Sequence, residues 1–411
     1  MRRDRWRWLA FPIALLLAGF NLRRLIFTVA AFWKRRGFLH SQFSIQPSVL
    51  ILVPCRDEAA MLPGLIAALN RLDYPAGRLR VALIDDGSRD KTRRLIALAA
   101  ENHSGWWAIH HAASRGKAHA LNDALAQIGF GDIVVVYDAD HRPAPDSLKQ
   151  LLAAFDDPGV AGASGRTIPL NPTASLPAYY ATVESLVHQL ITMQAKDRLD
   201  LAPALLGSNC AYRRDALEQA GGFRPGVLLE DSDLTLAFAR QGYRLRFVPE
   251  SIAWHQVPET AGGYVRQHLR WARGFNDVAR DHTRGVLADR RLPLHLRFEL
   301  TLFALGYLDR LALLAALGVT MSRRVLWPDQ RRKTKDEFLD WMLRFALLMP
   351  LVQIVAALSR ARASRAMWVR LPAIPLLFSL DVWVAARAAI ESLLNRPRAW
   401  TKTERQRIDS E

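Results

Sequence analysis

Cysteine is nearly absent from this chain: Cys55 and Cys210 are the only two in 411 residues, and no CxxC occurs. That excludes a disulfide framework and a thiolate zinc site, and it suits a reducing, cytosolic surface. The G-x-x-x-x-G-K-[ST] spacing of a P-loop is missing, and the glycines of "GVAGASG" (159–165) stand at the wrong spacing for a dinucleotide fingerprint. No internal repeat and no low-complexity linker is found. Clean hydrophobic runs are lacking too. The basic start and the apolar stretch after it have no small-residue cleavage site, so they read as an anchor rather than a removed signal.

Positive charge is plentiful but unevenly spread. The formal net charge is +17, with nine Lys/Arg against one acid in residues 1–36 and 26 against 14 in residues 261–411. The middle, 37–260, holds 21 basic and 24 acidic residues. The excess therefore sits in the two flanks that also carry the apolar stretches. Basic residues beside apolar runs fit anionic lipid headgroups, and the slightly acidic middle excludes a nucleic-acid partner.

In the first flank, "WLAFPIALLLAGF" (8–20) and "LIFTVAAFW" (25–33) are separated by "NLRR". Each half is too short to cross about 30 Å of hydrocarbon. Together they suffice, with Arg23 and Arg24 snorkelling or facing protein; an interfacial helix is the alternative. Beyond position 297, apolar segments 298–320, 338–359 and 367–394 are interrupted by Asp309, Arg310, Asp340, Arg344, Asp381 and Arg387. The basic loops 321–337 and 360–370 and the basic tail cannot all lie on one side of three full spans, so one segment is expected to be re-entrant or to lie on the surface.

From Ser48 the pattern alternates strands and helices: "SVLILVP", then "EAAMLPGLIAALNRL", then "LRVALIDDGS", and so on to "VVVYDADH" (134–141). This predicts a doubly wound, mostly parallel α/β sheet, whose ligands sit beyond the carboxyl ends of the strands. Asp85-Asp86 and Asp138-Ala-Asp140 both fall at that edge and are expected to share one cleft.

Singly, each motif has an ordinary explanation. Asp-x-Asp after a buried strand suits a hard divalent cation with positions left for phosphate oxygens, but aspartate is also common turn chemistry. Lys117 in "RGKAHALN" opens a helix and could reach a diphosphate. Glu230, Asp231 and Asp233 crowd a helix first turn, where acids are favourable with the dipole and one could serve as a general base. Gln267, Arg270 and Trp271 in "QHLRW" share one helical face: an amide, a fork of donors and an aromatic platform.

Their order carries more. "VPCRDE", "DDGS", "GKAHALN", "DAD", "GSNCAYRR", "GGF…LLEDSDL…GYRL" and "QHLRW" follow one another as in the family 2 glycosyltransferases. Over residues 48–275 the chain resembles the membrane-bound branch that includes cellulose, chitin, hyaluronan and poly-N-acetylglucosamine synthases. The resemblance implies a GT-A fold and an inverting transfer from a nucleotide-sugar, usually a UDP-sugar with Mg²⁺ or Mn²⁺. Carried over by position, Asp85 or Asp86 would hold the nucleobase and ribose, Asp138 the nucleotide, and Asp140 the metal. His255 would be a further metal ligand, or merely a hydrogen-bonded loop histidine. Asp231 would be the base, its basicity raised by Glu230 and Asp233, with Glu230 beside the substrate. Gly207, Ser208 and Asn209 would line the acceptor pocket, and Gln267, Arg270 and Trp271 the diphosphate and acceptor site. Asp57 stands where Asn is usual, and Leu229 where Thr is usual.

The expected organisation is an anchor or interfacial helix at 1–36, a GT-A domain at 45–260, and amphipathic interface helices at 261–297. Membrane-associated helices at 298–395 and a basic tail at 396–411 complete it. Two functions are expected at the cytosolic face of the inner membrane. One is polysaccharide synthesis, with a secretion or accessory membrane protein as partner; the other is a single glycosylation of a membrane lipid.

Overall fold

The computed structural model describes residues 5–33, 46–326 and 337–394. The basic tail at 396–411 and most of the basic loop 321–337 lie outside the described residues.

The chain opens with helix α1 (Arg5–Ala30) and then builds the sheet: β1 (Val49–Cys55), α2 (Leu62–Leu69), β2 (Leu79–Asp86), α3 (Thr92–Asn102), β3 (Trp106–His111), α4 (Lys117–Gln127) and β4 (Ile133–Val136). A short β5 (Arg142–Pro143), α5 (Ser147–Leu152) and β6 (Val160–Pro169) follow. Next, α6 (Leu176–Val187) runs through a π-helical stretch, His188–Met193, into α7 (Gln194–Arg198). The domain closes with β7 (Cys210–Arg213), α8 (Arg214–Gln219), α9 (Glu230–Arg240) and β8 (Arg244–His255).

The strands form one eight-stranded sheet in the order β3-β2-β1-β4-β7-β6-β8-β5. The half β3-β2-β1-β4 is parallel, as the alternating pattern requires. The other half is mixed: β7 runs antiparallel to both β4 and β6, and β5 antiparallel to β8, while β6 and β8 pair in parallel. The sheet is thus less parallel than expected, because β7 follows the long α6–α7 excursion and enters the sheet from the opposite end. Alternation along β1 feeds two cores. Leu50 and Leu52 pack with Ile84 and Val136 on one face, and Val49, Ile51 and Val53 with Leu83 and Val135 on the other. With helices on both faces, the central strands can be apolar throughout. The parallel half aligns the carboxyl ends of β1, β2 and β4 at one edge, so the acids that follow β2 and β4 emerge on the same side.

The remainder is helical: α10 (Ala261–Ala288), α11 (Leu294–Ala304), α12 (Leu308–Leu326), α13 (Glu337–Arg360), the short α14 (Arg365–Val369) and α15 (Ile374–Leu393). Three segments are long and apolar enough to cross a membrane, Ala10–Ala30, Asp340–Arg360 and Arg365–Leu393; the pair α11–α12, bent by 72°, would make a fourth if it is one broken span. The bend fits the expectation that one segment fails to cross straight. Of the 32 exposed large apolar side chains among the described residues, 27 lie on α1 with its C-terminal extension or on the helices after residue 293. A water-facing bundle would not leave such surface uncovered, whereas a bilayer covers it. The halves "WLAFPIALLLAGF" and "LIFTVAAFW" join in a single helix, α1, that packs on α12 and α13.

The charges that interrupt the apolar segments pair with one another. Glu299 accepts two bonds of 2.7 Å from Arg23 and stands 3.3 Å from the Lys196 ammonium. Asp309 pairs with Arg24 and, at 2.9 Å, with Arg310, which reaches Asp381 at 2.7 Å. Arg23 and Arg24 therefore face protein. Glu299→Gln leaves Arg23 and Lys196 sharing a neutral amide inside the bundle. A loss of about 3–5 kcal/mol is expected, the usual cost of unpairing a buried charge. It would be read as a lower melting temperature of the detergent-extracted protein; an unchanged melting temperature would mean that water already screens the cluster.

Candidate active site

β4 ends at Val136, and the next five residues turn out of the sheet. The Asp138 N–H donates to Ser208 Oγ at 2.8 Å, which fixes the turn against the segment entering β7. The turn presents Asp138, Asp140 and His141, whose ligand atoms all lie within 4.8 Å of one another. Two hard carboxylate oxygens with an imidazole are a donor set that fits a divalent cation. His141 received no role in the sequence reading, although it directly follows the Asp-x-Asp; neutral imidazole next to a carboxylate pair was the available signal. His255 lies in the same cavity but outside this trio, its ring stacked on His141 at 5.3 Å. His255 thus stands beside the trio, with its ring against that of His141.

Lys117 is the first residue of α4, entered through Gly116 at φ +93°, a conformation that favours glycine. Its ammonium lies 2.9 Å from Asp138 Oδ1, 2.8 Å from the Gly207 carbonyl and 3.2 Å from Glu230. Burial alone would lower its pKa, but Asp138 and Glu230 beside it raise it above the ordinary lysine value. The same carboxylate neighbours therefore keep Lys117 charged at every physiological pH.

Asp85 and Asp86 stand at the sheet edge as expected but do not line the cavity that holds Asp138 and Lys117. Asp86 accepts from Ser114 Oγ at 2.6 Å and from the N–H groups of Arg115 and Gly116 at 2.8 and 2.9 Å. These bonds outweigh burial and hold its carboxyl below the usual aspartate range. Its oxygens are spent on the loop that delivers Lys117. Asp85 is buried and accepts from the Ser88 N–H at 2.9 Å. Asp57 sits at φ +54° and accepts from the Arg89 N–H at 2.6 Å. Asn and Asp both tolerate that conformation and both offer that oxygen, which accounts for the Asp in "PCRDE".

On α9 the three acids separate. Glu230 turns to Lys117, while Asp233 pairs with Arg224 at 2.7 Å and His282 at 2.6 Å. Asp233 is thus held by other partners, and Glu230 is the neighbouring charge that raises Asp231. Asp231 lines the cavity, and its pKa is pushed up to about 7, first by burial and then by the Glu230 charge, against the pull of Lys117 and Arg270. Gly207, at φ +72°, lies so close that a Cβ there would meet Asp231 Oδ2 at 2.6 Å. Ser208 lines the cavity, whereas Asn209 is fully buried and donates to the carbonyls of Arg166 and Ser251 at 3.1 and 3.0 Å. Asn209 therefore ties β6 to β8.

α10 starts at Thr260, whose side chain accepts from the Gly263 N–H at 3.0 Å, and brings Gln267, Arg270 and Trp271 to the cavity together, as the helical spacing required. Leu229 packs so tightly against this helix that a Cβ at Gly274 would meet its Cγ at 2.5 Å. The non-Thr residue before the acids thus couples α9 to α10. The cavity holds about 1040 Å³ and runs from Asp138 and Asp231 past Trp271 to Tyr307, Phe20 and Leu347 among the apolar helices. At one end lie a cation-ready carboxylate pair, fixed ammonium and guanidinium groups and a carboxylate near neutrality, enough to neutralise a leaving diphosphate and to accept a proton.

Known proteins resemble this chain. The family described as "Glycosyltransferase like family 2" matches residues 47–274. "Probable glycosyltransferase YdaM" of Bacillus subtilis is 28% identical over 78% of this chain and 76% of its own. An "N-acetylglucosaminyltransferase" of Rhizobium leguminosarum is 31% identical over 67% of this chain, which spans 65% of that protein. The "Poly-beta-1,6-N-acetyl-D-glucosamine synthase" of Staphylococcus aureus is 26% identical over 61% of this chain and 60% of its own. Among solved structures, the mannosyltransferase PcManGT from Pyrobaculum calidifontis, in complex with GDP-Man and Mn²⁺, superposes with a TM-score of 0.60 at 23% identity, over 94% of this chain and 100% of that one. That likeness establishes the GT-A fold. Since one family accounts for more than half of the chain and that fold carries it, the protein belongs to the family 2 glycosyltransferases.

Proposed function

We propose that the protein transfers a sugar from a UDP-sugar to an acceptor hydroxyl with inversion, at the cytosolic face of the inner membrane, and that it extends a polysaccharide. N-acetylglucosamine is the first donor to test, because relatives are named for that sugar. The observation that carries the reading is the placement of Asp231, Lys117 and Arg270 around one cavity with Asp138. Two free buried cysteines and apolar, basic-flanked helices support the membrane setting and the cytosolic orientation.

Asp138, Asp140 and His141 would hold Mg²⁺ or Mn²⁺, which when bound stabilises charge on the leaving diphosphate. Lys117 and Arg270 add fixed positive charge at the same place. Asp231 accepts the proton of the acceptor hydroxyl as that oxygen attacks the anomeric carbon from the face opposite the diphosphate. Trp271 and Gln267 orient the acceptor, and Glu230 keeps Lys117 placed while raising the basicity of its neighbour.

A second reading, a single transfer to a membrane lipid, is favoured by one feature. The cavity continues between apolar helices to Leu347 and Leu351, which are also exposed on the outer surface of α13. Product size separates the two. Incubating membranes with radiolabelled UDP-N-acetylglucosamine should give a long, water-soluble polymer; a single labelled sugar that partitions into organic solvent would make lipid glycosylation the function.

Metal removal should abolish turnover, and Mg²⁺ or Mn²⁺ should restore it. Without a cation, Asp138, Asp140 and a diphosphate repel one another. Asp140→Ala should behave like chelated wild type, and full activity in excess chelator would remove the metal from the mechanism.

Asp231→Asn retains the shape of the side chain but cannot take the proton. The rate should fall by about 10²–10⁴ while donor affinity hardly changes. Only ionised Asp231 acts as base, so the wild-type rate should rise with pH through about 7. Loss of donor binding together with rate would make Asp231 a binding residue, and a near-normal rate would pass the role to Glu230.

A further inference from the structure

His268, inside the "QHLRW" motif, lines the cavity beside Gln267, Arg270 and Trp271. It is buried, and both of its ring nitrogens meet acceptors: Nδ1 stands 3.0 Å from the Tyr264 carbonyl, and Nε2 is 3.1 Å from Glu184 Oε2. A carbonyl cannot donate, and the same Glu184 oxygen already accepts from the Tyr264 hydroxyl at 2.8 Å. Facing two acceptors, the ring is best satisfied with protons on both nitrogens, as a cation.

The cation is also wrapped in aromatics. Tyr264 stacks on it at 3.7 Å between centroids, and Trp271 meets it edge-on at 4.7 Å. Both distances lie within cation–π range. Tyr264, His268 and Trp271 follow at successive turns of α10 and form one stripe, while Gln267, Arg270 and Trp271 form an adjoining face of the cavity that His268 also lines. Trp271 belongs to both. Glu184 lies on α6, so the His268–Glu184 pair also sets the distance between α6 and α10 across the cavity.

We propose that His268 is a positioning residue: as an imidazolium held between the Tyr264 carbonyl and the Glu184 carboxylate, it fixes the Trp271 ring and the α10 face at the acceptor end of the cavity. This rests on the reading that Trp271 borders the acceptor. His268 contacts neither the metal-binding trio nor Asp231, so its loss affects acceptor placement rather than donor binding. The groups that face it are Glu184 and Tyr180 on α6, Tyr264 on its own helix and Asp381 on α15; Asp381 is itself paired with Arg310 of α12. Two of these are carboxylates, and their attraction outweighs burial and raises the ring's pKa. The proton is lost only as pH rises through that raised value. Activity should therefore have an alkaline limb that belongs to His268.

The test uses the full chain in native membranes with radiolabelled UDP-N-acetylglucosamine, recording both UDP release and sugar incorporation. For His268→Gln, incorporation per UDP released should fall about tenfold, as expected of a displaced acceptor platform, with KM for the donor within about twofold of wild type. The alkaline limb should disappear. Glu184→Gln should keep the limb but move it down by about 1 pH unit or more, since it removes the main charge partner. A His268→Gln enzyme with wild-type coupling and pH profile would overturn the proposal. Failure of the function itself is visible separately, as wild-type protein that does not turn over any UDP-sugar. In that event, or if His268→Gln does not fold, histidine-ring nitrogen NMR of the wild-type protein, with the signal assigned by its shift in Glu184→Gln, still decides. A doubly protonated ring at pH 7.5 supports the clamp, and a neutral ring overturns it.

Discussion

The site is organised around one ammonium. Lys117 Nζ is shared by Asp138, Glu230 and the Gly207 carbonyl, and these three come from the turn after β4, the start of α9 and the segment before β7. Without that charge, the carboxylates Asp138, Glu230 and Asp231 would face one another across a largely buried cavity, and their repulsion would force the elements apart. With it, Asp138 is held below the usual aspartate range while Asp231, farther from the cation and closer to Glu230, rises to about 7. Neighbouring carboxylates are thereby divided into one that stays ionised and one poised near neutrality.

Delivery of that ammonium explains the polar side chains that hold the loops around the cavity. Asp86 clasps the 114–116 loop, Gly116 supplies the left-handed conformation, and Lys117 follows at the helix start. Ser208 and Asn209 do the same for the other wall: one fixes the Asp138 turn and the other ties β6 to β8. In each case a polar side chain saturates buried backbone groups, and its cost of burial is offset by the bonds it makes.

The helical half obeys the same rule on a larger scale. Arg23, Arg24, Lys196, Glu299, Asp309, Arg310 and Asp381 would each be costly inside a membrane bundle if alone. As two networks they tie α1 to α11 and α12, and α12 to α15, and all but Glu299 border the cavity as it runs in among the apolar helices. Charges that made these segments poor spans by composition are what holds the spans to one another and to the GT-A domain.

The sequence by itself determined the central strands, because apolar alternation and strand-end acids are local signals. It also marked a candidate set: the ordered motifs point to Asp138, Asp140, Asp231, Gln267, Arg270 and Trp271, and helical spacing alone required the last three to share a face. What it left undecided depends on residues far apart in the chain. His141 joins Asp138 and Asp140 through a turn whose shape depends on Ser208, 70 residues on. Asp233 leaves the acidic cluster because Arg224 and His282 reach it, and Asp86 turns inward because a loop 28 to 30 residues later needs its oxygens. The order of β6, β7 and β8 and the pairing of Arg23 with Glu299 are likewise long-range. A motif specifies which groups are present, whereas only packing decides which of their lone pairs and charges remain free for a ligand.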